Sequence, residues 1–505
     1  MVQFKNKLKN RLSFLHFEHF KVSYSQKIFQ FSKPPPQYFV SFESLKNILH
    51  IHPILMSKIN IFWFRRDLRL QDNAGLYQAL KSGNPVLPIF IFDENILEKL
   101  EDRDDARVSF LHATLTDLKA ELESLGSTLS IFYGKPNDIW ADILKKNTVE
   151  KIFTNRDYEP YALVRDNALK TFFDAQNIDF QLFKDHIIFE YQEVVKDDGL
   201  PYTVFTPYSK KWRLKLYSQM ETVNGQEISY FLKPYPTEEY FSNFIKKADT
   251  TPLSIPTLES MNFTKSSVEI PSKTVARSVV KNYDQTRNFP ANPASTTRLG
   301  VHFRFGTISI REKALSALGL NDTYVSELIW RDFYSQIMQH FPHIGQGKAF
   351  RPAYDNINWR NNETEFQKWC EGKTGYSLVD AGMRELNATG YMHNRVRMLV
   401  SSFLTKHLLM DWRLGEAYFA KKLLDFDMAS NNGGWQWAAG SGTDAAPYFR
   451  IFSPMEQQKK FDGDFKYVRK WVKEFGTPQY PKPIVDHKEA RERCLRVYKE
   501  ALKNE

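Results

Sequence analysis

The densest group of chemically useful side chains lies between residues 425 and 450. It contains two carboxylates, two amides, two glycines and two indoles: Asp425, Asp427, Asn431, Asn432, Gly433, Gly434, Trp435 and Trp437. Carboxylates accept hydrogen bonds and amides both donate and accept them, so these side chains can read the edge of a heterocycle. Glycines let backbone approach a flat ligand, and stacking an indole on a base contributes about 1–3 kcal/mol. The whole run favours a site for a flat, polar ligand over a glycine-rich turn between core helices.

A second group recurs at helical spacing. Glu327, Trp330, Arg331 and Tyr334 lie three or four residues apart, so one face of a helix carries them. A carboxyl can hydrogen-bond a pyrimidine, a Trp can stack on it, and an Arg can neutralise a phosphate. An ordinary amphipathic helix with one ion pair is the alternative.

The stretch from Ser295 to Gly300 reads Ser-Thr-Thr-Arg-Leu-Gly. Hydroxyls and an arginine just before a new helix suit a phosphate, because backbone N–H groups at a helix N-terminus bind anions. A simple Ser/Thr helix cap is the alternative. Further along, Arg397 is the natural partner for the carboxylate of Asp425.

Together these motifs resemble the signature of the cryptochrome/photolyase family, most closely the class I cyclobutane pyrimidine dimer photolyases. The resemblance extends from about residue 58 to the C-terminus and is strongest over 283–454. It implies FAD as cofactor and UV-damaged DNA as partner. The implied activity is light-dependent splitting of cyclobutane pyrimidine dimers by electron transfer from photoexcited reduced FAD to the flipped dimer.

The resemblance assigns roles to residues of this chain. Catalytic contacts are expected from Glu327, Trp330, Asn394, Met398, Asn431 and Trp437. FAD contacts are expected from Tyr283, Thr296, Thr297, Arg298, Leu299, Gly300, Arg397, Asp425, Phe426, Asp427 and Asn431. DNA contacts are expected from Arg287, Glu327, Arg331, Tyr334, Asn394, Arg395 and Gln457. An electron relay is expected from Trp359, Trp412 and Trp435, and no metal site is expected.

Three positions favour dimer repair over related activities. Asn394 and Met398 stand where (6-4) photolyases carry histidines, which supply a proton that ring opening of a cyclobutane dimer does not need. Asn431 stands where photolyases place Asn beside the flavin, whereas plant cryptochromes carry Asp and animal ones Cys. A blue-light photoreceptor without repair activity is the alternative, and a non-photochemical flavin- or nucleic-acid-binding protein is a third.

The first third of the chain alternates strands and helices. Apolar runs predict strands over 58–64, 85–92, 128–133, 149–155, 180–183 and 187–189, and helices over 104–125, 136–146 and 159–175. This order predicts an α/β domain with a doubly wound, Rossmann-like parallel sheet. An Arg/Asp-rich run over 64–73 follows the first strand in place of G-x-G-x-x-G. In the resembled family this domain holds an antenna chromophore: methenyltetrahydrofolate, a deazaflavin or FMN, with Asn155 and Glu159 as candidate ligands.

Beyond residue 256 helical periods dominate. Helices are predicted over 274–286, 310–318, 324–339, 362–369, 377–389, 394–409, 414–424, 465–475 and 487–503. We therefore expect a leader or mis-assigned start over 1–55, the antenna domain over 57–189, a connector over 190–256 and a large all-α FAD-binding domain over 257–505. In such a domain the ligand lies between helices.

Composition excludes several classes of protein. Two cysteines in 505 residues cannot form a disulfide framework or a four-cysteine iron–sulfur site. The chain lacks an apolar run of about 18 residues, so no membrane span is expected. The formal charge is +10, but residues 1–56 hold eight Lys or Arg and two acids, so bulk charge says little about DNA. We expect a monomer in the cytoplasm, at the bacterial nucleoid; organelle targeting by residues 1–55 is the alternative.

Overall fold

The computed structural model describes residues 58–503 apart from 224, 252 and 446, so the predicted leader lies outside the described residues. The described part begins with five parallel strands in the spatial order β3-β2-β1-β4-β5. Their bounds are β1 Ile59–Phe64, β2 Val86–Asp93, β3 Ser130–Gly134, β4 Val149–Asn155 and β5 Asp179–Phe183. The chain changes direction across the sheet between β1 and β4, where doubly wound sheets commonly bind ligands.

Helices cover both faces of this sheet. They are α1 Ala74–Lys81, α2 Glu94–Leu97, α3 Ala106–Ser124, α4 Pro136–Lys146 and α5 Pro160–Asp174. Strands β1 and β2 are buried along their whole length. Phe62 and Phe64 of β1 belong to one hydrophobic cluster, and Ile61 and Trp63 belong to another. Because successive side chains of a strand point to opposite faces, the two clusters are the two cores beside the sheet, and the predicted fold class is confirmed.

The strand predicted over 187–189 is wrong. The backbone N–H groups of Ile188 and Phe189 donate to the carboxylate of Asp332, at 3.2 Å from Oδ2 in each case, instead of pairing with a strand. Helix α1 was not predicted; the side chain of Asn73 caps it by accepting from the N–H of Leu76.

The connector has structure of its own. It contains helix α6 Phe205–Leu216, the hairpin of β6 Met220–Val223 and β7 Gln226–Ser229, and 3-10 turns at Tyr230–Leu232, Thr237–Asn243 and Lys247–Asp249. The indole of Trp212 donates to Asp332 Oδ2 at 3.0 Å, which packs the connector on the helical part. The predicted domain boundaries stay predictions.

The rest of the described chain is helical. Its α-helices are α7 Arg277–Lys281, α8 Tyr283–Thr286, α9 Gly300–Phe305, α10 Ile310–Ala317, α11 Asp322–His340, α12 Glu363–Cys370, α13 Ser377–Thr389, α14 Asn394–Ser402, α15 Trp412–Lys422, α16 Met428–Ala439, α17 Pro454–Phe461, α18 Lys466–Trp471 and α19 His487–Ala501. No helix of the described residues has the length and apolarity that crossing a bilayer requires.

Three helical predictions need correction, among them the helix predicted over 465–475, which ends at Trp471. The helix predicted over 394–409 is α-helical only as far as Ser402 and continues as a π-helical turn, Phe403–His407. The helix predicted over 274–286 is two short helices. Helix α16 was not predicted at all, because its paired glycines and asparagines favour turns over helix in isolation.

The two adjacent glycines of α16 have different surroundings. A Cβ on Gly433 would lie 2.2 Å from Cδ1 of Tyr334, so this glycine lets α16 approach α11 closely. A Cβ on Gly434 would meet nothing within 4 Å. The sequence predicted that both glycines admit a ligand; the structure supports that role for Gly434 alone.

We predict that Gly433→Ala destabilises the protein and that Gly434→Ala does not. The added methyl at position 433 overlaps the ring of Tyr334, and such overpacking costs about 1–3 kcal/mol. At position 434 the methyl enters open space, and Ala favours helix over Gly by about 1 kcal/mol. Denaturant unfolding monitored by circular dichroism measures both variants; equal free energies of unfolding would contradict the packing role of Gly433.

Candidate active site

A cavity of about 460 Å³ opens between the helices of the helical part, residues 277–501. It brings together all six residues predicted to be catalytic, which the sequence separates by up to 110 positions: Glu327, Trp330, Asn394, Met398, Asn431 and Trp437. Arg397, Asp425 and Asp427 also line it, with Gly300 and Gly434. This volume falls within the range of small-molecule and cofactor sites.

Helix α16 forms one wall of the cavity. Asp427 caps its N-terminus by accepting from the N–H of Ser430 at 3.1 Å. Asn431, one turn later, faces the cavity, and its amide nitrogen donates to the carbonyl of Glu416 at 3.1 Å. Asn432 is turned into the core, where its amide donates to the carbonyl of Ile344 at 3.2 Å. The prediction that both asparagines read a ligand edge therefore applies to Asn431 only.

The predicted pair between Arg397 and Asp425 is present at the cavity wall. Nη2 of Arg397 lies 3.0 Å from Oδ2 of Asp425, and Nε donates to the carbonyl of Met392 at 2.7 Å. Burial opposes the charge on Arg397, but the carboxylate of Asp425 outweighs it and raises the pKa of the guanidinium. A Cβ on Gly300 would lie 2.6 Å from Oδ2 of Asp425, so a serine would not fit here without displacing the carboxylate.

The predicted phosphate loop packs against two tyrosines. The hydroxyl of Thr296 lies 2.8 Å from that of Tyr391, and the hydroxyl of Thr297 lies 3.4 Å from that of Tyr324. Arg298 has a left-handed backbone conformation (φ 53°) and places its guanidinium 4.6 Å from the ring centre of Tyr391. Leu299 is buried and precedes α9.

Two further predicted FAD residues lie off the cavity wall. Tyr283 is buried with its ring edge-on to Tyr324, 5.2 Å between centres. Phe426 packs against the hydrophobic core of the helical part. Neither residue is among those that line the cavity, so any role for them in FAD binding stays a prediction.

Helix α11 also lines the cavity. Glu327 makes an ion pair with Arg287, and burial raises the pKa of its carboxyl. The ring of Trp330 stacks on Phe205 of the connector, with 3.8 Å between centres and 2° between planes. Sequence reasoning missed Phe205, since its distance of 125 residues from Trp330 carries no local signal.

Two predicted DNA contacts have unexpected partners. Arg331 donates to the backbone carbonyl and ring nitrogen of His186, so its guanidinium serves the junction with the α/β part. Tyr334 lines the cavity but packs on Gly433. Both residues line the cavity, and their contact with DNA stays a prediction.

Other predicted DNA contacts lie where a backbone could reach them. Arg395 is partly exposed, with its guanidinium 4.6 Å from the ring centre of Phe461 and bonded to Asn288 at 2.5 Å. Burial, with a contribution from the positive charge of Arg287, lowers the pKa of Arg395. Gln457 is partly exposed on α17. A partly exposed arginine suits a contact with phosphate.

The three predicted relay tryptophans belong to one hydrophobic cluster. Trp435 lines the cavity, Trp412 is buried, and Trp359 is partly exposed at the edge of the cluster. Helix α15, which carries Trp412, packs on Trp435: a Cβ on its Gly415 would lie 2.1 Å from that indole. One ring therefore lines the cavity, one is buried and one is partly exposed, and their role as a relay stays a prediction.

The Arg/Asp-rich run after β1 is occupied by buried ion pairs. The amide of Asn155 donates to Asp67 at 2.6 Å and to Asn73 at 2.7 Å, and its oxygen accepts from the N–H of Gly75. Glu159 accepts from Arg66, Arg304 and the N–H of Met428. Both side chains bind protein groups, which argues against the predicted antenna contacts.

Comparison with known proteins agrees with this geometry. The family described as "DNA photolyase" matches residues 60–225, and the "FAD binding domain of DNA photolyase" matches residues 324–478. Deoxyribodipyrimidine photo-lyase of Agrobacterium fabrum is 36% identical over 87% of this chain and 97% of its own. The Escherichia coli enzyme of that name is 34% identical over 88% of this chain and 99% of its own.

Solved structures give the same result. A bacterial class III photolyase from Agrobacterium tumefaciens superposes with a TM-score of 0.75 at 33% identity, covering 90% of this chain and all of that one. A photolyase from Sulfolobus tokodaii superposes at 0.73 and 34% identity, covering 87% and 99%. A cryptochrome from Synechocystis shares the fold at 24% identity and a TM-score of 0.73, covering 87% and 99%. The chain belongs to the cryptochrome/photolyase family.

Proposed function

We propose that this protein is a deoxyribodipyrimidine photo-lyase, which uses light to split cyclobutane pyrimidine dimers in UV-damaged DNA. One observation carries the proposal: a single cavity is lined by Asn431 and the Arg397–Asp425 pair and also by Glu327, Trp330 and Trp437. A single space therefore has one set of side chains suited to a flavin and another suited to a pyrimidine. The relatives of that name support the same activity.

The residues present fit FAD. The open space beside Gly434 admits a flat ring, Asn431 offers an amide, and Arg397 holds a cation at the cavity wall. When bound and reduced, FAD supplies the photoexcited electron that opens the cyclobutane ring. The Arg397 cation, kept protonated beside Asp425, provides fixed positive charge close to that position.

A second set of cavity residues orients the dimer. Trp330 and Trp437 offer planes for the pyrimidine rings, and Glu327 offers a carboxyl to their carbonyl and imide groups. We expect Arg287, which is paired with Glu327 here, and the partly exposed Arg395 to take up backbone phosphates. Asn394 and Met398 also line the cavity and add no further acid group, which suits a reaction that needs no proton donor.

A second chromophore also belongs to this proposal. The Sulfolobus tokodaii photolyase is described with two FAD molecules and a light-harvesting role for the additional one. We extend an antenna to this chain, with folate, deazaflavin or a second flavin as candidates. Monomeric action and a cytoplasmic location stay predictions.

We predict that Trp359→Phe and Trp437→Ala separate two activities. Trp359 lies at the edge of the hydrophobic cluster that holds the three relay tryptophans. Its loss should abolish photoreduction of oxidised flavin but spare repair after dithionite reduction. Trp437 lines the cavity, so its loss should weaken dimer binding by about 1–3 kcal/mol and spare photoreduction. Flavin absorbance under blue light measures photoreduction, and dimer splitting in an irradiated oligonucleotide measures repair. Loss of repair in Trp359→Phe with fully reduced flavin would contradict the assignment of Trp359 to the electron relay.

We predict that Arg395→Ala reduces the salt dependence of DNA binding. Removing one phosphate contact should lower the slope of log K against log salt by about one unit. Arg156→Ala is the matched control, because Arg156 pairs with Glu190 and neither residue lines the cavity. Binding titrations with dimer-containing DNA at several salt concentrations measure the slope; equal slopes for wild type and Arg395→Ala would place the DNA elsewhere.

A further inference from the structure

A largely buried group of charges joins the α/β part to the first turn of α16. It consists of three arginines, three carboxylates and one histidine: Arg66, Arg304, Arg331, Asp157, Glu159, Asp427 and His186. Four members come from the α/β part and three from the helical part. Arg66 belongs to the Arg/Asp-rich run that follows β1.

Arg66 connects the two sets of carboxylates. Its guanidinium lies 2.7 Å from Oδ2 of Asp427, 3.0 Å from Oδ1 of Asp157 and 3.3 Å from Oε1 of Glu159. Arg304 reaches the same two sides, contacting Glu159 and lying 3.6 Å from Asp427. One member of the α/β part therefore bonds directly to a residue of the cavity wall.

The charges of this group balance. Burial, with the neighbouring Arg331 and Arg66, holds the pKa of His186 well below its usual range, so the ring is neutral and accepts hydrogen bonds. Three cations then face three anions. A buried charge that loses its partner is strongly destabilising, so each member depends on the others.

The same carboxylates satisfy the start of α16. Asp427 accepts from the N–H and hydroxyl of Ser430, at 3.1 and 3.0 Å. Glu159 accepts from the N–H of Met428 at 3.3 Å. The first N–H groups of a helix have no partner within the helix. Here they donate to one carboxylate from each part, Glu159 and Asp427. Asn431 follows directly, with its N–H bonded to the carbonyl of Asp427 at 2.8 Å.

We propose that Arg66 and Glu159 are positioning residues for FAD: from the α/β part they hold Asp427 and the first turn of α16, and thereby fix Asn431 at the flavin position. This inference rests on the proposed function only in that FAD occupies the cavity. It gives the Arg/Asp-rich run a role in the flavin site, independent of any antenna chromophore.

The test compares Arg66→Gln with Arg65→Gln in the FAD-loaded protein. Arg65 is the adjacent residue and is more deeply buried, but it bonds to Asp166 and the carbonyl of Asn155, both within the α/β part. Its loss therefore damages that part without touching α16. The readouts are the rate of FAD release, followed by fluorescence, the flavin absorption spectrum and midpoint potential, and Tm.

We expect Arg66→Gln to release FAD about tenfold faster or more and to alter the flavin spectrum or midpoint potential. Loss of a hydrogen-bond partner behind a metal ligand weakens metal binding by a comparable factor. Arg65→Gln should lower Tm while keeping the wild-type spectrum and a release rate close to wild type. Arg66→Lys should restore much of the retention, because it keeps a cation beside Asp427.

Two results would overturn the proposal: Arg66→Gln with unchanged FAD release and spectrum, or equal effects of Arg65→Gln and Arg66→Gln on both. If Arg66→Gln does not fold, Glu159→Gln decides, since it removes the charge but keeps an oxygen near Met428; unchanged FAD release and spectrum would overturn the proposal. Absence of dimer splitting by the wild type would refute the proposed function while leaving these FAD measurements interpretable.

Discussion

Pairing of buried charge is the constraint on which the arrangement of the two parts depends. Besides the group around Asp427, a second set crosses the junction: Arg311 of α10 lies 2.9 Å from Asp72 and 2.8 Å from Asp185, which also binds Arg69 at 2.8 Å. Such pairs offset their desolvation only with good geometry. Apolar contact would tolerate sliding, whereas these fork-shaped contacts allow one relative orientation.

The sequence allowed much of the α/β part to be predicted, because strand and helix periods are local. Helix α4 and strand β4 have the predicted bounds, and the other predicted elements differ by one or two residues, apart from the false strand at 187–189. That strand failed because a distant carboxylate, Asp332, took its N–H groups. Periodicity reports the environment of a segment and not the identity of a remote partner.

The cavity shows the same division. Residue types predicted which side chains gather there, and the six expected catalytic residues all line it. What could not be predicted is the hydrogen-bond partner of each side chain. Arg331 turns to His186, Asn432 to Ile344 and Glu159 to Met428, and each contact spans at least 88 residues. A family resemblance predicts which residue type stands at a position. The hydrogen-bond partners of that residue depend on how the whole chain packs.

The stacking of Phe205 on Trp330 determines where this protein can be divided and joined to another α/β domain in a chimaera. One face of the indole is covered by a residue of the connector, so a base can reach only what that contact leaves open. The connector is thus part of the substrate wall. A chimaera that joins this helical part to another α/β domain must carry helix α6 with it, and the natural crossover point lies before Phe205 rather than at the end of the connector.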